Sequence, residues 1–135
     1  FDKRVREGKI RDCHGDLHAA HVCFTDNICI YDCIEFNDRF RYSDVASEIA
    51  FLAMDVDRYQ QAGLSHYLVN TYVKLSHDEE LLELLNFYKC YRAYVRGKVG
   101  SFKIEDPCIP EREKARILSV ARSYFKLAES YTLGE

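Results

Sequence analysis

His14–Gly15–Asp16–Leu17–His18–Ala19–Ala20–His21 gathers three imidazoles and a carboxylate around one glycine, and Asp32 follows about one hairpin's length later. Ionisable side chains are nowhere else in the chain so dense around a glycine. The stretch reads as a catalytic loop, with Asp32 as a metal-binding carboxylate behind it. The remainder reads as a mainly helical platform for that loop.

Upstream of the loop, Lys9–Ile10–Arg11–Asp12–Cys13 alternates as a short strand leading into it. Before that, Phe1 to Glu7 has the pattern of a helix closed by Gly8. Downstream, the β-prone runs Val22–Thr25 and Ile28–Tyr31 flank the turn pair Asp26–Asn27, which predicts a hairpin. A hairpin leaves the end of the loop and returns to its neighbourhood, so Asp32 is expected close to Asp16. Glu35 to Ser43 reads as an ordered loop. Asp44 then opens Val45–Met54, apolar on most sides except at Ser47 and Glu48, and so a buried central helix. Apolar steps at Leu64, Leu68, Tyr72 and Leu75 predict a helix from about Asp57 to Leu75. Ser76–Glu79 matches a capping box that would start a long helix through Leu81, Tyr88, Val95 and Phe102. Gly97 and Gly100 within it suggest close backbone packing. Two prolines make Glu105–Pro110 a loop, and a last helix runs to about Leu133, with Ile117, Ala121, Tyr124, Ala128 and Tyr131 on one side. The expected class is α+β and mainly helical: one domain over 1–135, with a small β-hairpin platform followed by about four helices.

The totals narrow the function. A chain of 135 residues that is 47% hydrophobic and 30% charged is globular. A net charge of −3 offers no global basic field, so neither nucleic acid nor a membrane is an expected partner. No apolar run approaches the roughly 18 residues of a membrane span. The six cysteines form no C-x-x-C pair and no secretory signal is seen, which suggests reduced thiols in the cytoplasm. The chain starts at Phe1 and reaches its densest chemistry within about twenty residues, as a fragment of a longer polypeptide would.

A carboxylate beside a loop glycine, with a second carboxylate one hairpin away, suits phosphoryl transfer. That reaction needs a group to orient and deprotonate an attacking hydroxyl, and others to hold Mg²⁺ against nucleotide phosphates. Asp16 would be the base and Asp32 the metal ligand. A zinc site from Cys13, His14, His18 and His21 is the competing reading, but a closed structural site usually joins two separated ligand pairs. His14 reads as a packing and hydrogen-bonding residue of the loop, and His18 as a loop support or substrate neighbour. Glu35 and Asp38 are candidates to face the cleft, where acidic charge would favour a cationic substrate; the alternative is a solvated acidic loop whose carboxylates hold Arg39 or Arg41. Arg92, Arg96 and Lys98 read as a solvated face, with a basic patch at a phosphate or partner site as the alternative.

His14–Gly15–Asp16–Leu17–His18 resembles the H-G-D-x-H loop of the aminoglycoside phosphotransferase family, within the protein-kinase-like superfamily. Tyr31–Asp32–Cys33 through Asp44–Val45–Ala46 resembles that family's next segment. The stretch Asp32–Cys33–Ile34–Glu35–Phe36–Asn37–Asp38 is similar to the D-C-I-E-F-N-D motif of a bacterial group of aminoglycoside-phosphotransferase-like proteins. Tyr88 to Arg96 also resembles that group. The resemblance implies a kinase-like C-terminal lobe, with ATP as donor, Mg²⁺ as cofactor and a small-molecule hydroxyl as acceptor. It implies that Asp16 is catalytic, that Asp32 binds metal, and that Asp44 braces the loop through backbone hydrogen bonds. The family usually has Asn five residues after the catalytic aspartate as a second metal ligand; here that position is His21. The family's N-terminal nucleotide lobe is expected outside these residues, since no Gly-rich phosphate loop occurs in them. In some members a P-loop ATPase-like domain follows in the same polypeptide. The alternative is a catalytically inactive kinase-like module that binds nucleotide or a partner.

Overall fold

The computed structural model describes residues 1–134. α1 (Asp2–Arg6) ends at Glu7, and Gly8 turns the chain at φ +72°. β1 (Ile10–Asp12) pairs antiparallel with β4 (Tyr42–Asp44), Ile10 opposite Asp44 and Asp12 opposite Tyr42. This pair closes the base of a long excursion. The excursion carries the His-Gly-Asp segment, a 3₁₀ turn (Ala19–His21) and a hairpin of β2 (Val22–Phe24) and β3 (Ile28–Ile30). The hairpin is the expected one, with Val22 opposite Ile30 and Phe24 opposite Ile28.

Residues 35–43, expected as loop, carry two elements instead. α2 (Asp38–Arg41) is a single turn capped by the Asn37 side chain, which accepts from Arg39 N, and β4 follows at once. One turn is too short to show a period. Tyr42–Asp44 is a strand only because β1 lies beside it, a tertiary cause that local propensity does not carry.

α3 (Val45–Arg58) is central, as its apolar run predicts. Asp44 caps it, accepting from Ala46 N at 2.9 Å. Its Phe51 and Met54 pack with Ala93, Tyr124, Ala128 and Tyr131. Its Ala46 and Ala53 pack with Val69, Val73 and Leu81. α3 therefore contributes to two cores, one shared with α4 (Ala62–Ser76) and the first turns of α5 (Leu81–Phe102), the other with α5 and α6 (Glu111–Thr132). The molecule is mainly helical α+β, with two small antiparallel sheets. Among the described residues, no helix is long and apolar enough to cross a membrane.

Two helix starts differ from expectation. α3 continues to Arg58, Gln60 takes φ +60°, and α4 begins at Ala62, not near Asp57. Ser76–Glu79 does not form a capping box. Ser76 ends α4, His77 follows at φ +58°, and α5 starts at Leu81 without a side-chain cap. Asp78 is instead drawn inward by buried Arg4, whose Nη1 donates to its Oδ1 at 2.6 Å. A buried ion pair outweighs a local cap. The close packing expected at Gly97 is present: a Cβ there would lie 2.8 Å from the Phe125 ring. At Gly100 the nearest atom is Ala121 Cβ at 3.8 Å, ordinary contact.

Candidate functional site

Gly15 sits at φ +87°, and a Cβ on it would lie 2.8 Å from both Ile34 Cγ1 and the Phe40 carbonyl oxygen. Conformation and space both demand glycine. The bend turns the loop's amides onto α3. Glu48 accepts from His14 N at 2.5 Å through Oε2 and from Gly15 N at 3.2 Å through Oε1. Seven residues on, Asp55 Oδ2 accepts from Ala19 N at 2.8 Å. Positions i and i+7 share a helix face two turns apart, so α3 holds the loop at both ends.

Glu48 and Asp55 are the loop's braces, and neither was foreseen. The available signal was two acidic residues seven apart on one face of a mainly apolar helix. Asp44 does not brace the loop as the family resemblance implied. Its oxygens accept from Arg4, Ala46 N and the Tyr88 hydroxyl. The reason is positional: Asp44 lies one turn before Glu48, at the N-cap, where α1 supplies the guanidinium. Glu48→Gln tests the brace, because an amide nitrogen then faces a buried N–H donor. We expect a loss of about 1–3 kcal/mol in urea unfolding, with faster hydrogen exchange at the His14 and Gly15 amides.

The three histidines have distinct jobs. His14 Nδ1 accepts from Asp16 N at 3.2 Å, and its Nε2 lies 2.6 Å from the Tyr31 carbonyl oxygen. A carbonyl only accepts, so Nε2 carries the proton, and His14 ties the Asp16 backbone to the end of the hairpin. His18 is buried, its ring 4.1 Å from that of His21 and its Nε2 3.7 Å from Asp16 Oδ2. His21 Nδ1 is 2.9 Å from the Asp16 carbonyl oxygen, so that nitrogen is the donor. The other nitrogen, Nε2, faces Asp32 Oδ2 at 3.3 Å.

Asp32 adopts φ +61° and its side chain is 72% exposed. Asp tolerates the left-handed region better than most residues, and the turn brings its carboxylate back beside His21. Asp16 and Asp32 line one cleft of about 480 Å³, together with Glu35. Asp38 is not among its lining residues; it sits on α2, 3.8 Å from Arg41 Nη1.

Burial pushes the Asp16 carboxyl up, but the polar contact with His18 and the electrostatic influence of neighbouring His18, His21 and Arg96 outweigh it. The net shift is downward. Asp16 is therefore a carboxylate at neutral pH.

Donor atoms of Asp16, His18 and His21 lie within 4.8 Å of one another. Of the His21 nitrogens, Nδ1 is the one 3.7 Å from Asp16 Oδ2, and it is already committed to the Asp16 carbonyl. The free lone pair of His21 lies on Nε2 and faces Asp32. Around a cation with bonds of about 2.1 Å, adjacent octahedral ligands are about 3 Å apart, so the 3.3 Å between Nε2 and Oδ2 suits a shared ion. Cys13 and His14 are occupied elsewhere: Cys13 Sγ contacts the Ser43 carbonyl at 3.6 Å, and both His14 nitrogens are bonded. The competing zinc set is thus not assembled.

No family model matches the chain, and no solved structure matches it. The chain is 40% identical over 100 residues to an uncharacterized protein of Mycobacterium bovis and to uncharacterized proteins of two Mycobacterium tuberculosis strains. Each alignment covers 73% of this chain, and the chain spans about a fifth of the length of these relatives, 20%.

Proposed function

We propose that this chain carries the catalytic loop of an ATP- and Mg²⁺-dependent phosphotransferase acting on a small-molecule hydroxyl. In this reading it is a lobe similar to the C-terminal lobe of aminoglycoside phosphotransferases. The carrying observation is Asp16, a carboxylate ionised by its surroundings, in the same cleft as Asp32 and joined to it through His21. Asp16 accepts a hydrogen bond from the acceptor hydroxyl and takes its proton as the new O–P bond forms and the bond between the donor's terminal phosphorus and its bridging oxygen breaks, with ADP leaving. His14, His21 and Glu48 hold the loop backbone so that the carboxylate needs no rearrangement. Asp32 and His21 would hold the cation, which supplies charge neutralisation on the donor phosphates when bound. The nucleotide-covering lobe is assigned to sequence outside these 135 residues, and a P-loop ATPase-like domain is a further candidate in the same polypeptide.

The test is substrate-dependent nucleotide turnover by the full-length protein, screened over alcohols with Mg²⁺ or Mn²⁺. Asp32→Ala is expected to lower turnover about a hundredfold or more. Full activity in both Asp16→Ala and Asp32→Ala would sink the assignment.

The imidazole at position 21 makes a further outcome measurable. Mg²⁺ prefers oxygen ligands, whereas Mn²⁺ accepts nitrogen more readily. His21→Asn is expected to shift the metal preference several-fold from Mn²⁺ towards Mg²⁺, read from metal-dependent turnover or from metal titration. The same departure motivates the second reading, an inactive nucleotide- or partner-binding module. Calorimetric ATP binding with no turnover on any alcohol would favour that module.

A further inference from the structure

A second cleft, about 650 Å³, opens between α5 and the glycine loop. Asp16 lines it as well as the cleft that holds Asp32, so this carboxylate stands where the two meet. The chemistry of the two sides differs. One has Asp32 and Glu35. The other has Arg39, Arg92 and Arg96, and its remaining acid, Asp44, is already neutralised by Arg4.

Arg92 and Arg96 differ from the fully buried cations. Arg4 and Lys89 each have a carboxylate oxygen within 2.8 Å. Among the described residues, neither Arg92 nor Arg96 forms an ion pair. Arg92 Nε donates to Ser47 Oγ at 3.0 Å, and its guanidinium lies 4.8 Å from the centre of the Phe51 ring. Burial pulls the charged form of Arg92 down, against the longer-range influence of Glu48 and Asp16. Arg96 lies over the Tyr124 ring at 5.4 Å, and its buried Nε has no hydrogen-bond partner. A guanidinium withdrawn from water without an anion is costly, and its planar fork matches carboxylate or phosphate. Two of them one helical turn apart, i and i+4 on α5, present that fork to one cleft.

We propose that Arg92 and Arg96 form an anion subsite, and that the acceptor carries a carboxylate or phosphate as well as the hydroxyl it presents to Asp16. The proposal rests on reading Asp16 as the base. The anion belongs to the acceptor because the metal ligands, which would attend the donor phosphates, lie on the other side of Asp16. The aromatic rings of Phe40 and Tyr91 in the same wall suit a flat or apolar body between the two groups. A polycationic acceptor would meet three arginines here, contrary to the substrate that Glu35 and Asp38 suggested.

Calorimetry on the full-length protein, in EDTA, tests this with phenyl phosphate, benzoate and benzyl alcohol. At least one of the two anions is expected to bind at least tenfold more tightly than the alcohol. Arg92→Gln and Arg96→Gln should each weaken it about tenfold or more, while Asp32→Asn leaves it unchanged and Asp16→Asn leaves it unchanged or tighter. No preference for either anion overturns the proposal. So does anion binding that requires Mg²⁺ and vanishes in Asp32→Asn, because the subsite would then belong to the donor. Melting curves check that the variants fold; if Arg92→Gln does not, Arg96→Gln decides. Turnover lost in Asp16→Ala with no anion binding defeats the subsite alone. Arginine-dependent anion binding with turnover intact in Asp16→Ala defeats the base alone.

Discussion

Arg4→Met is expected to destabilise the chain by about 3–5 kcal/mol at neutral pH, the cost of breaking a buried ion pair from one side. Arg4 is 1% exposed. It donates to Asp44 through Nε at 3.0 Å and Nη2 at 2.7 Å, and to Asp78 through Nη1 at 2.6 Å and Nη2 at 2.9 Å. One side chain of α1 thus ties the start of α3 to the turn before α5. Methionine fills much of the space but leaves two carboxylates in a dry site with no cation. The wild-type pair also predicts a pH dependence. Burial raises the Asp44 carboxyl, but the Arg4 guanidinium and the Ala46 amide outweigh it, and the net shift is downward. A group depressed in the folded state adds stability above its unfolded pKa of about 3.9, and loses it as pH falls through the folded value. The wild type should hold this contribution down to the ordinary carboxylate range and lose it only below. In Arg4→Met the support for ionised Asp44 is gone, so the gap between the two proteins should narrow between about pH 5 and pH 3. Urea unfolding at pH 7 and pH 4 checks both parts. An unchanged gap would show that Arg4 acts through packing alone.

Asp16→Asn is expected to lower turnover by about 10²–10⁴-fold with little change in stability. Asparagine keeps the size and can still accept a hydrogen bond, but it cannot take a proton. The loop's hold on α3 runs through backbone amides to Glu48 and Asp55, so the fold does not depend on the Asp16 carboxylate. That separates this variant from Glu48→Gln, which should lose stability and activity together. Because His18, His21 and Arg96 depress the Asp16 carboxyl, the acid limb of kcat/KM should lie below the ordinary carboxylate range. A base this weak takes the hydroxyl proton late, once the new O–P bond is largely formed, as a loose phosphoryl-transfer transition state permits. A pH–rate profile with its acid limb near neutrality would instead point to another group, a histidine foremost.

Much of the local architecture was legible from residue order. Gly15 amid histidines and an aspartate marked a loop, and the structure supplies the reason for the glycine in φ +87° and a backbone oxygen 2.8 Å from where a Cβ would be. The runs around Asp26–Asn27 marked the hairpin, and its return path brought Asp32 back to the neighbourhood of the loop. The apolar run from Val45 marked the central helix. These features are set within a few residues of one another, where turn chemistry and periodicity act directly.

The partners of the polar residues came only with packing. Glu48 and Ser47 looked like interruptions in an apolar helix, yet Glu48 holds the loop and Ser47 holds Arg92. Asp44 went to Arg4, forty residues away, instead of to the loop. Ser76–Glu79 looked like a local cap until Asp78 met Arg4 across 74 residues. Arg92 and Arg96 looked like a solvated face and instead line the cleft beside Asp16. Periodicity reports which side of an element is apolar, because burial of that side repeats along the chain. It carries no information on which distant charge a polar group will meet, and in a low-dielectric interior that meeting decides whether the group braces, binds or reacts.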